Sequence, residues 1–147
     1  MKRVLIVGAA LLLGVGAVWA QDAAKEAQTI MKSNGKNAGA VAAIVKGEKP
    51  YDQATVDAAL AHFEDTAKKL PTMFPASLKS VKLEGDYQIS PKVWEDKAGF
   101  DAKIASFAKI VGEAKGKIKD LDSLKANFPA IGKECGSCHE TFRVKNS

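Results

Sequence analysis

The sequence predicts an all-α protein, an antiparallel up-down four-helix bundle, on three observations. Four stretches repeat apolar residues at steps of three and four, no stretch alternates like a strand, and only one connection is long. Neither an internal repeat nor a low-complexity tract interrupts them.

Residues 1–20 precede the bundle as a leader. Lys2 and Arg3 open it, an apolar run follows from Val4 to Val18, and Val18-Trp19-Ala20 supplies a small-residue exit before Gln21. That is the order of a secretory signal peptide, and the run is short for a spanning helix of about 20 apolar residues. The expected mature domain is therefore residues 21–147, exported without stable membrane insertion.

The first helix is expected from about Asp22 to Lys46, with Ala27, Ile30, Met31, Ala38, Val41 and Val45 on its apolar side. Gly35 and Gly39 weaken it by about 1 kcal/mol each, so its middle should bend. Gly47 and Pro50 stop it. A second helix starts near Asp52 and should end before Pro71, with Val56, Leu60, Phe63, Ala67 and Leu70 on one face. From Pro71 to Ser90 no period holds, and a connection that long in a small domain often covers something. Ser90-Pro91 then reads as a cap followed by proline at the first helical position. Trp94, Phe100, Ile104, Phe107, Val111 and Ile118 carry the third helix to about Lys117 or Lys119. Asp120 or Asp122 caps the fourth, whose seam runs Leu121, Leu124, Phe128, Ile131, Cys135, Cys138 and Phe142, with a local kink expected at Pro129.

The whole chain has 147 residues and a net charge of +5, falling to +3 once Lys2 and Arg3 leave with the leader. Such a length suits one domain with a core of its own. The charge is too modest to argue for a nucleic-acid binder.

One motif carries chemistry. Cys135-Gly136-Ser137-Cys138-His139 is the attachment signature of a c-type haem. Residues three and four apart share a helix face, so both sulfurs and the imidazole can address one flat macrocycle. The cysteines would add to its vinyl groups as thioethers, and His139 would supply an axial nitrogen to iron. A disulfide within one helical turn would be strained. A thioredoxin-type site wants a strand before its cysteines. A zinc site wants four ligands, whereas the chain offers only Cys135, Cys138, His139 and His62.

The motif lies near the carboxyl end, followed by Glu140-Thr141-Phe142-Arg143, and Ser90-Pro91-Lys92-Val93-Trp94 opens the third helix. In these features the chain resembles the class II cytochromes c, the cytochrome c' family, from about Gln21 to Lys145. The resemblance implies a four-helix bundle with one covalent haem c near one end, in a periplasmic setting. It also implies that the first helix decides the sixth iron position. In the low-spin c-556 branch a methionine of that helix ligates; in the five-coordinate branch an apolar side chain blocks the site and small gases bind. Met31, in Ile30-Met31-Lys32, resembles the former, and the absence of arginine from Asp22 to Lys46 agrees with it. Ile30 as a blocking group and Met73 as a second methionine are the alternatives.

Phe142, Phe128, Trp94 and Phe100 are candidate walls of the haem pocket. Arg143 is a candidate for a haem propionate or for solvent, and His62 is expected to be solvent-exposed. Residues 97–147 carry +4 against −1 for residues 21–96, and Lys133 and Arg143 flank the motif, so an acidic redox partner protein is expected. The implied function is one-electron carriage without catalysis, by a monomer or a homodimer. Capture of nitric oxide or carbon monoxide at an open iron is the alternative. A peroxidase-like role fares worst, because His62 is the only spare histidine for acid-base work.

Overall fold

The computed structural model describes residues 10–146, with side chains from Trp19 onward. The charged start of the leader lies outside the described residues. Among the described residues, no helix is long and apolar enough to cross a membrane.

Four long helices make the bundle: α1 (Ala10–Val45), α2 (Gln53–Met73), α4 (Lys97–Lys117) and α5 (Leu121–Phe142), with a short α3 (Lys92–Glu95) before α4. Contacts link α1 to α2, α2 to α4, α4 to α5 and α5 back to α1, so each long helix packs beside its neighbours in sequence. Between them lies one apolar core that includes Val41, Val56, Leu60, Phe63, Val111 and Leu124.

The caps are local and follow the sequence. Asp52 accepts from Thr55 N at 2.9 Å and starts α2. Asp120, rather than Asp122, starts α5 through a reciprocal capping box with Ser123. These bonds hold the carboxyls of Asp52 and Asp120 below their ordinary values, and Lys115 and Lys68 do the same to Glu64. A carboxyl depressed by folding stabilises the fold fully above its unfolded value, near pH 4, and that contribution fades as pH falls through the lower folded value. Thermal midpoints should therefore drop between about pH 5 and pH 2, and Asp120→Asn should flatten part of that drop. An equally steep profile in the variant would refute the role of the cap.

Three expectations need correction. First, α2 does not end before Pro71 but runs through it to Met73, so Met73 belongs to the last helical turn and not to the loop. Proline near a helix end sacrifices a single hydrogen bond, which the remaining turn tolerates. Second, the third helix is broken. Ser90 Oγ accepts from Lys92 N at 3.3 Å and Pro91 takes helical angles, as expected, but α3 stops at Asp96, where φ is −119° and ψ 61°. The Asp96 carboxylate turns back to accept from Gly99 N at 3.0 Å and caps α4 anew. It sits where a Cβ at position 99 would stand, so a larger residue there would displace the capping carboxylate. Asp competing for backbone donors is a local cause of such breaks.

Third, strands do occur. Tyr87–Ile89 (β1) pairs antiparallel with Arg143–Lys145 (β2), setting Gln88 opposite Val144. Ser90 N extends the pairing to the carbonyl of Phe142 at 3.1 Å, and Asn146 N reaches Asp86 O at 2.8 Å. The 71–90 connection thus clasps the tail that leaves α5. Its 3₁₀ turn (Ala76–Ser80) buries Leu78 against Ala20 and Ala24 of α1. By contrast, α5 runs unbroken through Pro129, and α1 through Gly35 and Gly39.

Trp94 ties these layers together, donating from Nε1 to the Phe74 carbonyl at 2.9 Å. Trp94→Phe should cost about 1–2 kcal/mol in urea denaturation, from the lost bond and the unfilled space. A cost within error of zero would show that water replaces the indole there.

Candidate functional site

The candidate site is built on the last two turns of α5. Cys135 and Cys138 are both free thiols, half-buried, and both pack against the core. Burial pushes each thiol above its ordinary value; at Cys138 the neighbouring Cys135 adds to this and Lys103 opposes it. His139, half-buried beside them, is held below its ordinary value by burial first and by Arg143 second. At neutral pH the three groups are two protonated thiols and a neutral imidazole with a lone pair to give. Among the described residues, no group of three or more His, Cys, Asp or Glu gathers into a metal cage.

Neighbouring helices brace the motif. Lys103 of α4 reaches Ser137 Oγ, between the two cysteines, at 3.1 Å. Ser137 in turn donates to the Glu134 carbonyl at 3.2 Å. Below the motif, Phe142 meets Phe100 edge-on at 5.0 Å, and Phe100 meets Phe74 at 5.6 Å. Of the proposed pocket walls, Phe100 and Phe142 therefore stand together, and Phe128 packs on the same core. Trp94 belongs as much to the smaller cluster around Leu78. A cavity of about 150 Å³ beside Trp94, lined also by Leu78, Ile89 and Pro91, includes no residue of the motif.

Met31, half-buried on α1, packs against the core cluster that Cys135 and Cys138 also touch. Met73 touches that core as well, from the end of α2, whereas half-buried Ile30 lies outside the set. Two polar residues that sequence reasoning passed over stand beside Met31. Asn34 Nδ2 lies 3.8 Å from the Met31 sulfur, and Asn34 Oδ1 accepts from Thr66 Oγ1 of α2 at 3.0 Å. The signal available was Thr66 itself, a hydroxyl on the otherwise apolar face of α2.

His62 departs from its expected exposure. It is half-buried, its ring 6.5 Å from that of Phe63, and its Nε2 is enclosed without a hydrogen-bond partner. Positions 59 and 66, which share its helix flank, are both buried, and that flank carries the imidazole inward. Arg143 is exposed, and its guanidinium lies 3.9 Å from the centre of the Tyr87 ring, a cation–π contact between diagonal neighbours of the small sheet.

The family model of Cytochrome C' matches residues 22–143, nearly the whole bundle with its thiols and histidine. The chain belongs to the cytochrome c' family. Within the family it is 55% identical over 147 residues to cytochrome c-556 of Rhodopseudomonas palustris, covering 99% of each chain. A solved structure of the oxidised form of that cytochrome superposes with a TM-score of 0.76, covering 86% of this chain and 99% of the other. Cytochrome c' of the same organism superposes at 0.78 with 42% identity, covering 86% and 98%. The chain is thus a class II cytochrome c of the c-556 branch, and its cofactor is covalently attached haem c. Two thiols on one helix face beside a neutral imidazole fit that group.

Proposed function

We propose that this cytochrome is a periplasmic one-electron carrier, exported by removal of residues 1–20 and not itself an enzyme. In this reading Cys135 and Cys138 hold the haem through thioethers, and His139 and Met31 give their nitrogen and sulfur to its iron. The observation that carries the reading is that Met31 and both cysteines pack against one core. A thioether on α1 that faces this core is the kind of group the ligand role requires.

When bound, the haem supplies a one-electron couple. The chain's part would be to hold ligation constant between the two redox states, and a thioether together with an imidazole would favour the reduced one. The edge-on contacts of Phe142, Phe100 and Phe74 give that end of the core an apolar wall. Lys133 and Arg143, both exposed, support an acidic redox partner met by monomer or homodimer.

The absorption spectrum of the purified holoprotein tests the reading. Narrow low-spin bands in both redox states, with little carbon monoxide uptake by the reduced form, are expected. Broad high-spin bands with rapid, complete carbon monoxide binding would replace the carrier with a gas-binding cytochrome.

A further inference from the structure

The geometry points to a Thr66–Asn34 relay that presents the Met31 sulfur to the iron, making both polar residues positioning groups for the sixth ligand. The inference rests on the reading of Met31 as that ligand and goes beyond it by naming what holds the sulfur in place.

Three observations build it. Thr66 is 1% exposed on the apolar face of α2, and its hydroxyl reaches across to α1, where it donates to Asn34 Oδ1 at 3.0 Å. A buried hydroxyl costs stability unless it is bonded, so this bond is what allows threonine at a core position. Because the amide oxygen is engaged by Thr66, the Asn34 amide is oriented with its NH₂ toward the other side. There it meets Met31 Sδ at 3.8 Å, a length ordinary for a sulfur acceptor. Residues 31 and 34 lie three apart on one helix, so the two side chains share a face.

Neighbouring Asn37 shows that this use of an amide is not automatic on α1. Its NH₂ turns back along its own helix to the Ser33 carbonyl at 2.9 Å. Asn34 alone of the two is braced from a second helix.

The chemical consequence concerns the sulfur's lone pairs and rotamers. A thioether has two lone pairs; an N–H directed at one leaves the other for a metal. Methionine has three side-chain torsions and otherwise samples many positions. A donor fixed by a buried hydroxyl removes much of that freedom before the ligand is needed, and supporting contacts of this kind keep a site from being loose.

The test is competition for the ferric iron of the holoprotein by added imidazole, which must displace the methionine. In Asn34→Leu, imidazole should bind about three- to tenfold more tightly than in wild type, the range a single modest hydrogen bond supplies. Thr66→Val should move affinity in the same direction by less, and Thr66→Ser, which keeps the hydroxyl, should restore the wild-type value. Wild-type imidazole affinity in both Asn34→Leu and Thr66→Val would overturn the relay, even with lowered melting temperatures, because the bonds would then only join α1 to α2. Met31→Ala separates this failure from failure of the ligand reading. A low-spin Met31→Ala protein removes the ligand itself, whereas a high-spin one beside an unaffected Asn34→Leu removes only the relay.

Discussion

Met31→Ala is expected to convert the loaded protein from low-spin to high-spin iron in both oxidation states and to open the reduced form to carbon monoxide. The expectation follows from the surroundings of the residue. Met31 is the methionine of α1, and it packs on the core that the two cysteines touch. Alanine at that position removes the sulfur. The other candidates belong to α2: Met73 in its last turn and His62 near its middle, with an enclosed Nε2. An unchanged low-spin spectrum in the variant would reject Met31 and direct attention to one of these two.

The second large effect concerns stability. Phe63→Ala should cost about 3–5 kcal/mol in denaturant unfolding of the holoprotein, the usual range for deleting a buried aromatic ring. Phe63 is 1% exposed, and its ring meets that of Phe107 edge-on at 6.4 Å, joining α2 to α4. Those two helices pack side by side along the bundle. Against a typical domain stability of about 5–15 kcal/mol, the loss is roughly a fifth or more of the total. A cost below about 1 kcal/mol would mean that neighbouring side chains collapse into the vacated space and that the α2–α4 seam is not rigid.

Much of the fold was legible because its signals are local. The steps of three and four that mark Val56, Leu60, Phe63 and Leu70 are the residues buried in α2, and those of Phe100, Ile104, Phe107 and Val111 are buried in α4. Asp52 and Asp120 cap the helices they precede. The haem motif was legible for the same reason, since its spacing and its helix face are properties of five consecutive residues.

The misreadings arise where a local signal is weak or was overridden. Asp96 held a readable pattern, an acid three residues before a glycine, but the apolar period across Trp94 and Phe100 concealed the break. Pro71 was given more weight than a proline in a last turn carries. His62 was judged from the sequence stripe, although positions 59 and 66 bring its flank inward.

By itself, then, the sequence determined the four long helices, the caps of α2 and α5, and the pairing of two thiols with one imidazole on a single helical turn. Each of these depends on residues within about a turn of one another. Only the tertiary structure decided what lies far apart along the chain: the clasp of Tyr87–Ile89 on Arg143–Lys145, the stacking of Arg143 on Tyr87, and the reach of Thr66 across to Asn34. Three-residue strands carry no usable period, and a lone hydroxyl or amide does not announce its partner. Such contacts exist because packing the apolar faces first brings the polar groups within bonding distance, and burial then requires them to pair.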